Sequence, residues 1–258
     1  MVGNSASGVD LSSQLATVCK GPVIVSEKTV SSVPIEENAA LKLLPEIREF
    51  EIQGHTVHFV NGHVETDVDA VIFCTGYFYT YPFLGGISAP ITHDGMRVRG
   101  LFEHLLYIDD PTLAFIGIPQ RIVPFPIAEV QSAWIARIWA DRVDLPSVAD
   151  MHDRENQRQM DEGQNSHNLG FPKDVNYLNL LHDWSMNAKK RSGLANGGVG
   201  KIPPYWDSEA AWVREQFPLI KIASRKLGDK KHDIKTLAEL GFVYSAQEGG
   251  ASTEEKLL

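Results

Sequence analysis

Gly3-Asn4-Ser5-Ala6-Ser7-Gly8 is the stretch whose reading decides the fold. Two glycines enclose two serines, the composition of a tight turn that opens a helix. Small residues there let backbone N–H groups approach an anion, and the positive end of the helix dipole favours a phosphate. Gly3, Ser5, Ser7 and Gly8 are therefore candidate phosphate contacts. An ordinary capped helix start has the same composition, so the motif alone leaves both readings open. Val9, Leu11, Leu15, Ala16 and Val18 follow at helical spacing. Pro22-Val23-Ile24-Val25-Ser26 is then a β-branched run suited to a parallel strand. Only Met1 and Val2 stand before the turn, where a dinucleotide-binding unit has a buried strand.

The end of that second strand is where an adenosine ribose is expected. Ser26 and Lys28 would suit a 2′-phosphate, and Glu27 a free 2′-hydroxyl. A solvated turn accounts for any one of the three equally well. Residues 33 to 66 read as short antiparallel strands. Within them, Thr56 to Val60 and Val64 to Thr66 flank Asn61-Gly62, a pair that accepts positive φ. Val68 to Phe73 reads as an apolar strand running into Cys74-Thr75-Gly76-Tyr77. Ligands collect at the carboxyl ends of such strands. Thr75, Gly76 and Tyr77 are thus candidates, with Gly76 allowing close approach and Tyr77 offering a stacking face. Cys74 reads as a small buried residue, not a nucleophile.

Thr112 to Ile118 reads as a second buried strand. It leads through Gln120 into Pro124-Phe125-Pro126, where a helix begins with Ile127, Val130, Trp134, Ile135, Ile138 and Trp139 on one broad face. Its positive end suits an electron-rich ring edge, and Glu129 could be a first-turn residue favoured by the same dipole. Further helices are expected over 147–163, 174–188 and 209–224, the last interrupted near Pro218. A glycine-proline loop over 193–204 and a frayed tail from Gln247 complete the pattern.

The 258 residues carry a formal net charge of -9, which argues against a nucleic-acid partner. Two cysteines, Cys19 and Cys74, exclude a disulfide scaffold and a four-cysteine zinc site. His55, His58 and His63 lie on an expected hairpin without a carboxylate or cysteine cluster, so no metal site is expected. No apolar run approaches a membrane span, and the N-terminus has neither a basic leader nor a long apolar stretch. A cytoplasmic protein is expected, with membrane association left open. No Gly-x-Ser-x-Gly elbow is present, which argues against an ordinary α/β-hydrolase.

The order of the segments is more specific than any one of them. Gly3 to Gly8, Asp69-Ala70-Val71-Ile72-Phe73-Cys74-Thr75-Gly76-Tyr77, Pro111 to Pro119 and Pro124 to Arg137 together resemble the flavin-containing monooxygenases. The resemblance covers most of residues 2 to 142 and continues more weakly through Asn176 to Trp184. It implies an α/β fold with two dinucleotide-binding (Rossmann-like) domains, here incomplete, and a helical C-terminal extension. The implied parts are a partial NADP-binding domain over 1–80, the C-terminal part of an FAD-binding domain over 81–146, and the extension over 147–258.

It also implies FAD and NADPH as cofactors and dioxygen as co-substrate. Reduced flavin would pass one oxygen atom to a small nitrogen or sulfur nucleophile. Gly3, Ser5, Ser7 and Gly8 would hold the NADP phosphates. Gln120 and Pro124, Phe125 and Pro126 would approach the flavin. The family's FAD fingerprint has no counterpart ahead of Gly3, so the sequence is expected to be the C-terminal portion of such an enzyme. The alternative is a non-catalytic fragment that binds NADP weakly or complements another chain, and a homo-oligomer is a further possibility. No catalytic acid-base residue is identified.

Overall fold

The computed structural model describes residues 1–28, 38–86 and 91–246. It is a mixed α/β chain whose contacts divide it into two compact units, Met1–Tyr77 and the part from Phe78 onward.

In the first unit, Val2 pairs in parallel with both Ser26 and Phe73. Helix α1 (Ala6–Leu15) crosses over from Val2 to strand β1 (Val23–Ser26). β1 pairs in parallel with β2 (Leu41–Leu44), Val23 opposite Leu41 and Ser26 opposite Leu44. Val23, Val25 and Leu41 are buried, and Met1, Leu15 and Leu43 pack against them. Each large apolar side chain so buried contributes roughly 1.5–3 kcal/mol.

A separate antiparallel sheet follows, of β3 (Ile47–Glu51), β4 (Thr56–Phe59) and β5 (Val64–Glu65). The Asn61-Gly62 turn joins β4 to β5 as expected: Gly62 has φ +85° and the Asn61 side chain accepts from the His63 N–H.

Two expectations need correction in this unit. Leu41 to Leu44 pairs parallel, not antiparallel, because it adds along the edge of β1 and carries Leu41 into the same buried cluster as Val23 and Val25. Val68 to Phe73 is not a continuous strand. Within it only Phe73 forms a bridge, with Val2, and no ladder extends over 68–72. The start of the expected antiparallel region, 33–37, and the tail from Gln247 lie outside the described residues.

In the second unit, β6 (Leu101–Phe102) and β7 (Leu106–Tyr107) form a short hairpin. Its turn holds Glu103 and His104 at positive φ. Helix α2 (Pro124–Trp139) packs on α4 (Lys173–Met186), and α3 (Val148–Glu162) lies against β6. Phe102, Leu106, Ile127, Trp134, Met151 and Leu178 belong to the core these elements share. A second cluster includes Val98, Leu101, Phe115 and Ile118. α5 (Ser208–Lys226) has no buried residue.

Three details differ from expectation here. Thr112 to Ile118 is not a strand: Ala114 bridges Leu106, but Gly117 takes φ +82° and Ile116 is exposed, so the ladder breaks. Trp139 leaves the buried face of α2 and donates its indole N–H to the Pro111 carbonyl at 2.8 Å. α5 runs through Pro218 without interruption, because a surface helix leaves water free to meet the carbonyl that proline cannot.

Candidate functional site

The Gly3–Gly8 turn is built so that only glycine fits its two ends. A Cβ on Gly3 would lie 2.5 Å from the Cys74 carbonyl oxygen, and one on Gly8 would lie 2.0 Å from the Gly3 carbonyl oxygen. Gly3 also has φ +98°, a region that side chains disfavour. Its N–H donates to the Ser26 carbonyl at 2.9 Å. The turn thus ties Val2, the end of β1 and the Cys74-Thr75 backbone to the start of α1.

Ser5 caps α1 with extended backbone and makes no side-chain cap bond, and no acidic residue occupies the first turn. The N–H groups of Ala6, Ser7 and Gly8 have no intrahelical acceptor, as at any helix start. Ser5 and Ser7 are exposed beside them. The result is a concentration of donors with no competing carboxylate in that turn.

The residues at the end of β1 divide. Ser26 is buried and its hydroxyl donates to the Pro45 carbonyl at 2.9 Å. Glu27 accepts from the Asn4 amide at 2.6 Å, while the Asn4 side-chain oxygen is buried with no donor. Lys28 is exposed and 3.9 Å from Glu46. Gly76 has φ +88° with open space around it, and Tyr77 is fully exposed. Cys74 is half-buried and its N–H donates to the Val2 carbonyl.

In the second unit, Gln120 lies in the loop before α2. Its backbone bonds to His167 and Leu169, and its amide donates to the Tyr79 hydroxyl at 3.0 Å. Pro124 begins α2, and Phe125 is exposed at its tip. Pro124 and Pro126 have no N–H, so Phe125 supplies the one donor of the first three positions. No acidic residue lies in that turn. Glu129 is beyond it and pairs with Lys201, which corrects its reading as a first-turn residue. The starts of α3, α4 and α5 each carry an acid in the first turn: Asp150, Asp174 and Glu209. α1 and α2 are the described α-helices without one.

Beneath the Gln120 loop is a buried polar network. Gln131 is fully buried, accepts from the Gly117 N–H at 2.9 Å and donates to the Tyr177 hydroxyl at 2.9 Å. The Tyr177 hydroxyl donates to the Glu103 carbonyl. Burial pushes the Tyr177 phenol up. His104 and His167 share a contact of 2.9 Å between their Nδ1 atoms. Burial, reinforced by Arg158, holds both imidazoles neutral, His104 well below its usual range and His167 at about 4. The Glu103 carboxylate meets Arg154 and Arg158. Sequence reasoning missed this network because its members are 74 residues apart at the extreme. Only the polar Gln131 on an otherwise apolar helix face offered a signal.

A family model described as flavin-binding monooxygenase-like matches residues 13–191. The Gly3–Gly8 turn lies just ahead of that range. The thiol-specific monooxygenase of Saccharomyces cerevisiae is 27% identical over 253 residues, covering 93% of this chain and 51% of that protein. The flavin-containing monooxygenase FMO GS-OX-like 9 of Arabidopsis thaliana is 37% identical over 180 residues, covering 67% of this chain and 37% of that protein. Among solved structures, the S-allyl-L-cysteine S-oxygenase of Allium sativum superposes with a TM-score of 0.65 at 24% identity, over 93% of this chain and 52% of that one. The chain thus spans about half, or less, of the proteins it matches.

Proposed function

The chain belongs to the flavin-binding monooxygenase-like family, and we propose that it serves NADPH- and FAD-dependent oxygenation of small nitrogen or sulfur nucleophiles. One observation carries this reading: the Gly3–Gly8 cradle, where a Cβ at either glycine would meet backbone oxygen. Such a cradle fits a dinucleotide phosphate, because the turn keeps its N–H groups close to an approaching anion.

The residues fit the two cofactors differently. α1 has three N–H donors in its first turn and suits a phosphate. The Asn4 side-chain oxygen, buried without a donor, suits a ribose hydroxyl. Glu27 and Lys28 stand at the same strand end, with Ser26 beneath them. The Thr75 backbone borders the turn from the other side, and Gly76 and Tyr77, which follow it, would approach the same group. α2, with the single Phe125 N–H, suits one acceptor on a ring edge and not a phosphate. Gln120 with Pro124, Phe125 and Pro126 would border that ring. When bound, the flavin supplies the electron transfer from the nicotinamide and the activation of dioxygen. The chain's own part is to orient both groups and exclude water.

The donor count supports a second reading. The helices of the second unit other than α2 begin with an acid, which disfavours a pyrophosphate. The chain would then hold NADP(H), while a different, complementing chain supplies the FAD pyrophosphate site.

The test is a visible absorption spectrum of the full chain after incubation with FAD and removal of free cofactor, followed by NADPH addition under air. Retained flavin with NADPH-dependent oxygen uptake is the expected result for the first reading. Colourless protein that still binds NADPH selects the second. Protein that binds neither removes both.

A further inference from the structure

We infer that the second unit holds a separate small-molecule site, a cleft for an aromatic carboxylate between the C-terminal half of α2, residues 142–146 and the end of α4. The cavity there has a volume of about 430 Å³ and is lined by Phe102, Trp134, Arg142, Leu145, Arg154 and Trp184 among others. That is within the size range of small-molecule pockets. It lies away from the start of α2: Trp134 is ten residues beyond Pro124, or about 15 Å along the helix.

Three features define the ligand. The first is an unmet donor. Trp134 is 1% exposed, and its indole N–H is buried without an acceptor. A buried donor left unpaired costs about 1–3 kcal/mol, so an acceptor arriving from a ligand is favoured. The second is charge. Arg142 is buried, and its hydrogen bonds go to the neutral carbonyls of Lys189, Gly198 and Val199, with no carboxylate partner among the described residues. Arg154 and Arg158 share the single Glu103 carboxylate. Asp144, the acid that lines the cavity, is matched by Lys189 at 2.7 Å. Positive charge therefore exceeds negative around the cleft, and a carboxylate on the ligand would balance it.

The third feature is the wall. Phe102 and Trp184 stack at 8° with ring centres 6.1 Å apart, and Trp134 is tilted against both. The Arg154 guanidinium lies 5.6 Å from the Trp184 ring centre. Phe102 and Trp134 are buried and fix the half-buried Trp184, whose ring is the face a flat apolar body would meet at small entropic cost. A flat ring bearing one carboxylate meets all three features. This inference does not depend on the flavin reading, since it uses none of the residues assigned to either cofactor.

The experiment is calorimetric titration of the full chain with phenylacetate and, separately, with its neutral isostere phenylacetamide. Saturable phenylacetate binding, at least roughly tenfold tighter than the amide, is expected. Trp134→Phe keeps an aromatic side chain, though a smaller one, and removes the N–H, and should weaken phenylacetate roughly tenfold. Leu145→Trp fills a half-buried part of the lining and should abolish binding while leaving the circular dichroism spectrum unchanged. Trp139→Phe, outside the cleft, should leave affinity as it was. Equal affinity for acid and amide, or no saturation up to about 10 mM, overturns the proposal. So does binding that Leu145→Trp leaves intact. The acid-against-amide comparison uses the unaltered chain and decides the matter even if Trp134→Phe does not fold.

Discussion

Replacing Gly8 by alanine tests whether the cradle is as tight as its geometry says. The added Cβ would lie 2.0 Å from the Gly3 carbonyl oxygen and 2.9 Å from its carbon. A comfortable carbon–oxygen contact is about 3.3–3.6 Å, so backbone must yield by roughly 1.3 Å or more. The atom in the way is main chain, and it belongs to a residue whose N–H bonds to Ser26. Overpacking of this kind costs about 1–3 kcal/mol. Alanine recovers up to about 1 kcal/mol of helix propensity over glycine. A net loss of roughly 1–2 kcal/mol follows, which would raise local opening about five- to thirtyfold.

Hydrogen exchange of peptides covering α1 and β1 measures this directly. Gly21→Ala is the control, because nothing lies within 4 Å of a Cβ at that glycine. Faster exchange in Gly8→Ala and none in Gly21→Ala is the expected pattern. Equal protection in Gly8→Ala and the unaltered chain would refute the claim that the turn excludes a side chain.

Other consequences follow from the second unit. His167 sits at about 4 when folded against 6.5 unperturbed, and His104 is displaced the same way. The unfolded chain therefore binds more protons between these values, so the contribution is full above pH 6.5 and is lost as pH falls towards 4. The loss from His167 is roughly 3 kcal/mol, and urea titrations across that range should show it, flattened in His167→Gln. Gln131→Leu would leave the Gly117 N–H without its acceptor and the Tyr177 hydroxyl without its donor. A loss of about 2–4 kcal/mol in urea unfolding is expected, whereas Ser132→Ala, one residue on and exposed, should cost under about 1 kcal/mol.

What the sequence revealed depended on range. The Gly3–Gly8 turn, the Asn61-Gly62 hairpin and the proline start of α2 were legible, because each is set by conformational preferences within a few residues. The strands expected over 68–73 and 112–118 were not formed. Their apolar composition is right, but a strand exists only with a partner ladder, and neither segment has a continuous one. Trp139 reads as core by spacing and is half outside, because its indole finds the Pro111 carbonyl. The Gln131–Tyr177–Glu103 chain and the His104–His167 pair were invisible for the opposite reason. They are long-range contacts between residues that each look ordinary alone. Of the candidate site residues, Gly3 and Gly8 are explained by geometry, while Ser26 has its hydroxyl turned to Pro45 in the structure.

The most direct test of the central claim is a fluorescence titration of NADPH with the unaltered full chain and with Gly8→Ala. Saturable enhancement of nicotinamide fluorescence in the unaltered chain, lost or weakened at least roughly tenfold in the variant, is the result expected of a phosphate cradle at Gly3–Gly8. No saturation by the unaltered chain, or equal affinity in both, would contradict it.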